Sequence, residues 1–132
     1  MFEEDNYCFC CGKENPIGLK LKIDETPDGE ITTKFKVKRE YQGYRNVLHG
    51  GFVSMLLDEV MAHAAFRKTG KKAVATGKIE VSLKKPILAG SEITIFGKVD
   101  EDRGKIIKTS GKILNPNGEI SATAKAIFVK IK

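Results

Sequence analysis

The run Asn46-Val47-Leu48-His49-Gly50-Gly51-Phe52-Val53-Ser54-Met55-Leu56-Leu57-Asp58-Glu59 holds the residues best suited to chemistry. Gly50 and Gly51 open an apolar stretch with helical character. Glycine lets a ligand approach the backbone closely, and the free N–H groups at a helix start attract negative charge. A carbonyl under nucleophilic attack gathers such charge, so this is a plausible oxyanion site. About two turns on, the acidic pair Asp58-Glu59 interrupts the apolar run. A buried carboxylate is costly without partners and titrates abnormally, which is common where proton transfer is carried out. On residue chemistry alone, a cap on a neighbouring loop or a pairing with Arg or Lys explains the acidic pair equally well.

The remaining reactive side chains carry weaker signals. His49 fits a brace for the loop or the helix start better than a base. His63, deeper in the apolar run, reads as a satisfied core histidine. Cys8-x-x-Cys11 has half of a zinc-site spacing, but no second pair at a matching spacing follows it. Packing of a leader segment is therefore the expectation for Cys8, Cys10 and Cys11, with no metal. Arg67, Lys68, Lys71, Lys72, Lys84 and Lys85 are candidates for phosphate contacts, and a generic basic surface accounts for them too. No phosphate loop, dinucleotide fingerprint or nucleophile elbow is present.

These residues need elements to position them. Leu19, Leu21 and Ile23 alternate with lysines, as Thr33, Phe35 and Val37 alternate with polar residues, and Thr26-Pro27-Asp28-Gly29 between them is a turn signal. The pattern predicts a hairpin. A loop from Glu40 to Leu48 follows. The one convincing helix then runs from near Gly50 to Thr69-Gly70, apolar on nearly all sides and so buried from several directions. Strands follow around Ile79 to Leu83, Ile93 to Val99, Ile106 to Leu114 and Ile120 to Ile131, with turns at Asp102-Arg103-Gly104 and Asn115-Pro116-Asn117-Gly118. The short connections favour an antiparallel sheet, and one central helix is covered only if that sheet curls around it. The expected class is α+β. Exposed sheet edges would remain, and pairing with a second copy is an economical cover.

At 132 residues the chain fits one domain, here 1–132 with a cysteine-containing leader at 1–18. The longest apolar stretch is broken by His49, Asp58, Glu59 and His63, which a lipid-facing span does not tolerate. The acidic start (Glu3, Glu4, Asp5) is unlike a secretory segment, so a cytoplasmic location is expected. The odd, clustered set of 3 cysteines suits reduced thiols better than a disulfide framework. The net charge of +6 fits a polyanionic or phosphate-bearing partner, but the lysines are spread along strands rather than gathered in one arm.

With its acidic spacing and strand order, the run His49-Gly50-Gly51 followed by Asp58 resembles the hotdog-fold acyl-CoA thioesterases, in particular the phenylacetate-pathway type. The strand ending Val81-Ser82-Leu83-Lys84-Lys85-Pro86 is similar as well, and the likeness spans about residues 16 to 131. It implies a hotdog fold, a curved antiparallel sheet wrapped around one long helix, and hydrolysis of an acyl thioester to free acid and CoA. By the same likeness, the Gly50 N–H polarises the carbonyl and Asp58 acts as general base or nucleophile in a site completed by another protomer. Thr76 positions water or the carboxylate. His49, Gly51, Asn46, Gln42, Glu59, Lys84 and Lys85 are the implied substrate contacts. Members often carry Asn or Gln where this chain has Gly43, so Gln42 and Asn46 are candidates for that role. An acyl tunnel lined by Val53, Leu56, Leu57 and Val60 is expected beside the helix. No cofactor is implied beyond the CoA of the substrate. The assembly implied is a homodimer or a dimer of dimers, with no nucleic-acid or membrane partner. Two alternatives share the fold: an acyl-CoA-binding sensor or carrier without turnover, and a dehydratase or hydratase.

Overall fold

The computed structural model describes residues 5–131. The elements in chain order are β1 (Asp24–Glu25), β2 (Ile31–Lys36), a 3-10 turn (Arg39–Tyr41), α1 (Gly50–Lys68), β3 (Val74–Leu83), β4 (Glu92–Asp102), β5 (Ile106–Leu114) and β6 (Ile120–Lys130). One six-stranded sheet has the order β1-β2-β4-β5-β6-β3, with every pairing antiparallel. The helix packs on one face of this sheet, against β4 and β5 most extensively. This is the α+β architecture expected.

Alternation explains the core. Ile93 and Ile95 of β4, Ile107 and Ile113 of β5, and Ala122 and Phe128 of β6 all point inward and are essentially inaccessible. The helix meets them with a stripe that includes Val53, Leu56, Leu57, Val60 and Met61, also buried. Each such side chain contributes about 1.5–3 kcal/mol through burial. Small residues bring the layers together. Gly97 and Gly111 face each other across β4 and β5, and a Cβ on Gly97 would lie 2.8 Å from the Val60 carbonyl carbon. The alanines of β6 likewise leave space where larger side chains would lift the helix.

Two expectations are corrected. The alternating run 19–23 is not a strand. Lys20 has a φ of +50°, which breaks the extended backbone. The N–H groups of Leu19 and Leu21 instead donate to the carbonyls of Phe9 and Cys10, so this run pairs with the leader, and strand structure starts only at Asp24. The helix is also not uniformly buried. Its sheet-facing stripe is closed, whereas Met55, Glu59, Ala62 and His63 on another flank are half-buried. The turn at Thr26–Gly29 and the helix stop at Gly70, with a φ of +71°, form as expected. No helix is long and apolar enough to cross a membrane among the described residues.

Candidate active site

The start of α1 explains the sequence His-Gly-Gly. His49 is the N-cap, and its Nδ1 accepts the Gly51 N–H at 2.8 Å. That bond puts the proton of the neutral ring on Nε2 and makes His49 a brace. A Cβ on Gly51 would stand 3.0 Å from the same Nδ1, so the second glycine is what lets the ring fold back over the helix start. Tyr41 holds the entry from below. Its carbonyl accepts the His49 N–H at 2.9 Å, and its ring lies 4.7 Å from that of Phe52. With the Gly51 N–H used by the cap, Gly50 carries the open donor. Among the described residues its N–H meets no acceptor, and a Cβ there would find only Leu83, at 3.8 Å. Gly50 is an exposed N–H at the positive end of a helix.

Asp58 lies on the flank of α1 that faces β3. The Thr76 hydroxyl donates to its Oδ1 at 2.8 Å. A β-bulge makes this contact possible. Ile79, Val81 and the rest of β3 alternate in register with β6, but the register shifts between Thr76 and Lys78. The extra residue, Gly77, reverses the alternation and turns Thr76 to the helix side, opposite Phe128. Burial pushes the Asp58 carboxyl above the usual carboxylate range. The Thr76 hydrogen bond opposes this in part, and the Glu59 charge adds to it. A carboxylate so placed holds protons more readily than an exposed one, as a general base does.

Glu59 points elsewhere. Successive helical side chains diverge by about 100°. Glu59 meets His63 one turn on, with Oε2 3.3 Å from Nε2, and the Cys11 thiol hydrogen-bonds to the same carboxylate. Burial works to raise Glu59, but the hydrogen bonds from His63 and Cys11 and the His63 charge outweigh it and hold the group low. Glu59 therefore faces the leader rather than Asp58 and Thr76. His63 is satisfied, as expected, but half-buried rather than part of the core. Burial raises the Cys10 thiol to about 12 and raises Cys11 as well, so neither is an activated nucleophile.

The other expected contacts are dispersed. The Gln42 side-chain oxygen accepts the Asn46 N–H at 3.1 Å, and Asn46 has a φ of +61°, so both residues shape the loop before the helix. Gly43 packs against His49, where a Cβ would sit 3.3 Å from the His49 Cα. An Asn or Gln there would press on the cap. Lys85 is paired with Glu119 at 2.5 Å, whereas Lys84 stands exposed just beyond β3. Val53, Leu56, Leu57 and Val60 line no tunnel, because sheet side chains fill the space they face. A depression of about 430 Å³ lies on the sheet's outer face, lined by Glu80, Phe96, Lys98, Lys112 and Lys125, away from Asp58.

Residues 45–122 match the sequence profile of the Thioesterase superfamily. The chain belongs to the thioesterase superfamily. A solved thioesterase superfamily protein has 26% identity and a TM-score of 0.84, over 94% of this chain and 63% of its own. The E. coli PaaI protein from the phenylacetic acid degradation operon superposes with a TM-score of 0.75 at 19% identity, over 86% of this chain and 81% of its own. At that identity the likeness carries the hotdog fold alone. An uncharacterized protein of Schizosaccharomyces pombe is 32% identical over 83 residues, 63% of this chain and 47% of its own length. The chain thus spans about half the length of that curated relative.

Proposed function

We propose that this thioesterase-superfamily chain hydrolyses acyl-CoA in a homodimer, each site taking Gly50 from one protomer and Asp58 from the other. The observation that carries the reading is a separation. Gly50 and Asp58 are eight residues apart on one straight helix, about 12 Å at 1.5 Å per residue. A carbonyl bound at one N–H and attacked by a water held on a carboxylate needs the two groups closer, since each hydrogen bond spans only about 3 Å. One helix therefore cannot supply both to the same substrate. Two helices side by side and antiparallel bring Gly50 of one to the level of Asp58 of the other.

The edge strand suits that arrangement. β3 is uncovered along its outer side for ten residues, and Leu83, beside Gly50, is 61% exposed. Long uncovered edges call for a partner, and pairing β3 with its copy makes a closed two-fold dimer. A dimer of dimers adds a second contact without altering this site. In the dimer the Gly50 amide polarises the thioester carbonyl. Asp58 of the other copy takes a proton from water, whose oxygen bonds to the carbonyl carbon. The carbon–sulfur bond then breaks, CoA leaves as thiolate and recovers the proton, and the free acid remains. Thr76 keeps Asp58 aimed. Lys84, free of the ion pair that holds Lys85, is the better candidate for a CoA phosphate.

The test is thiol release from short, long-chain and aromatic acyl-CoAs, with a protein blank for the native thiols, on native protein and Gly50→Pro. Proline is accommodated at the first helical position, and the His49 ψ of 135° suits a residue before proline. The substitution therefore deletes one N–H with little else changed. The expected loss is about 10²–10³-fold in kcat, with helix content intact by circular dichroism. Full activity in Gly50→Pro overturns the role of that amide. Bound but unhydrolysed acyl-CoA across the panel would instead make the chain a sensor or carrier, the reading that the missing amide at Gly43 favours.

A further inference from the structure

The leader and the helix together assemble a group of donors that the proposed hydrolysis does not use. Cys8, Cys10 and Glu59 have ligand atoms within 4.8 Å of one another, and so do Cys11, Glu59 and His63. Glu59 belongs to both sets. The sequence spacing concealed this. Cys8 and Cys11 are neighbours in the leader, whereas their counterparts are one helical turn apart far along the chain.

Local backbone structure carries Cys8 and Cys11 on one turn. The Gly12 N–H donates to the Cys8 carbonyl at 2.8 Å, closing Cys8-Phe9-Cys10-Cys11-Gly12 into a tight turn. A Cβ on Gly12 would lie 2.3 Å from the Cys8 nitrogen, so the turn requires glycine there. The turn is anchored from both sides. The Leu19 N–H donates to Phe9, and the Asn15 side-chain amide donates to the Tyr7 carbonyl at 3.1 Å. On the helix, the i,i+4 spacing places Glu59 and His63 one above the other. Their side chains are 12% and 28% accessible, open enough for an ion to enter and closed enough to hold it.

We propose that Cys8, Cys11, Glu59 and His63 bind one thiophilic divalent cation of the zinc class, which staples the leader to α1. The donor chemistry decides the class. Two thiolates with an imidazole and a carboxylate form a mixed sulfur, nitrogen and oxygen set that suits tetrahedral zinc and does not suit calcium or magnesium. Zinc–sulfur bonds near 2.3 Å and zinc–nitrogen bonds near 2.0 Å imply ligand–ligand edges of roughly 3.5 Å. Cys11, Glu59 and His63 need to close by only about an ångström from their 4.8 Å limit, and Cys8, which lies within that limit of Glu59, joins them by side-chain rotation. Binding releases the two thiol protons to solvent and leaves a site of net charge −1. Cys10, buried in the core, stays a thiol. The role is structural. The ion fixes the leader over the helix at the residue next to Asp58, without contact with a substrate carbonyl.

The experiment is metal analysis of the full chain purified without chelator, then stripped and reloaded with Co2+ as a spectroscopic probe. The expected results are one zinc per chain and, with Co2+, a thiolate-to-metal charge-transfer band with the intense visible bands of a tetrahedral ion. Cys11→Ser and His63→Ala are each expected to lower bound metal at least tenfold while keeping native circular dichroism, and Cys10→Ala is expected to retain it. Chelation is expected to lower Tm in the native chain and not in Cys11→Ser. Substoichiometric metal, a cobalt spectrum without the sulfur band, or metal retained in both variants overturns the proposal. So does a Cys8–Cys11 disulfide in freshly purified protein, detected by mass as the loss of two hydrogens. None of these readouts depends on thioesterase activity, so this inference and the proposed reaction fail independently.

Discussion

Asp58→Asn is expected to lower kcat/KM for acyl-CoA hydrolysis by about 10²–10⁴-fold, the range for losing a positioned general base. The same substitution should leave Tm unchanged or slightly higher. Both halves follow from one environment. The amide keeps an oxygen where Thr76 donates at 2.8 Å, so the local geometry survives, but it cannot take a proton from water. Burial raises the Asp58 carboxyl above its usual range, so the folded chain holds the charged form at a cost that a neutral amide avoids. Activity lost at constant or improved stability is the signature of a group kept for chemistry. Thr76→Val removes one hydrogen bond, about 0.5–1.5 kcal/mol, and should cost only a few-fold to about tenfold. Turnover that survives Asp58→Asn sinks this assignment. Glu59 would not be the natural substitute, since His63 and Cys11 already engage its carboxylate. Single-turnover hydrolysis in heavy-oxygen water separates the two modes of catalysis. Label enters the Asp58 carboxylate only if that oxygen attacks the carbonyl itself.

Much of this arrangement was legible in the residues, through rules that act locally. Alternation along β4, β5 and β6 marked the inward faces, and turn residues such as Asn117-Gly118 marked their ends. The glycines before an apolar run announced the helix start, and the isolated acids announced a cost that needed a reason. Other features depend on what the chain meets far away. Leu19-Lys20-Leu21 has the period of a strand, yet its partner is the leader and Lys20 adopts a left-handed backbone, which no period records. The expected acyl tunnel misread the helix. Leu56 and Leu57 are apolar because β4, β5 and β6 cover them, and a pattern of hydrophobic residues does not separate a packed face from a ligand-lined one. Asp58 and Glu59 are adjacent in sequence and face different partners, so grouping them by position merged two environments. Thr76 reaches Asp58 through a bulge at Gly77, and one inserted residue is invisible until the partner strand is known. The place of Gly97 was hidden for the same reason.

Gly97→Ala is expected to be the most destabilising single-methyl change in the sheet, costing about 3 kcal/mol and lowering Tm by roughly 10–15 °C. Its backbone is not in the left-handed region, so conformational strain is not the source. Glycine-to-alanine at an unstrained site ordinarily stabilises by about 0.4–1 kcal/mol, because the unfolded chain loses freedom. Here the sign reverses because the added carbon meets a wall. It would lie 2.8 Å from the Val60 carbonyl carbon, 2.9 Å from the Val60 oxygen and 3.0 Å from the Met61 nitrogen. All three atoms belong to the helix backbone, which cannot rotate away as a side chain can. Relief requires α1 to lift from β4, which opens voids around Leu57 and Met61, both fully buried. A lifted helix also carries Asp58 away from Thr76, so activity should fall along with stability. Val60→Ala in the same chain is therefore expected not to rescue Gly97→Ala, since it trims a side chain that is not the obstacle. Thermal unfolding of the two single variants and the double variant decides the matter. Recovery in the double variant would mean that helix side chains, rather than the helix backbone, set the distance between the two layers.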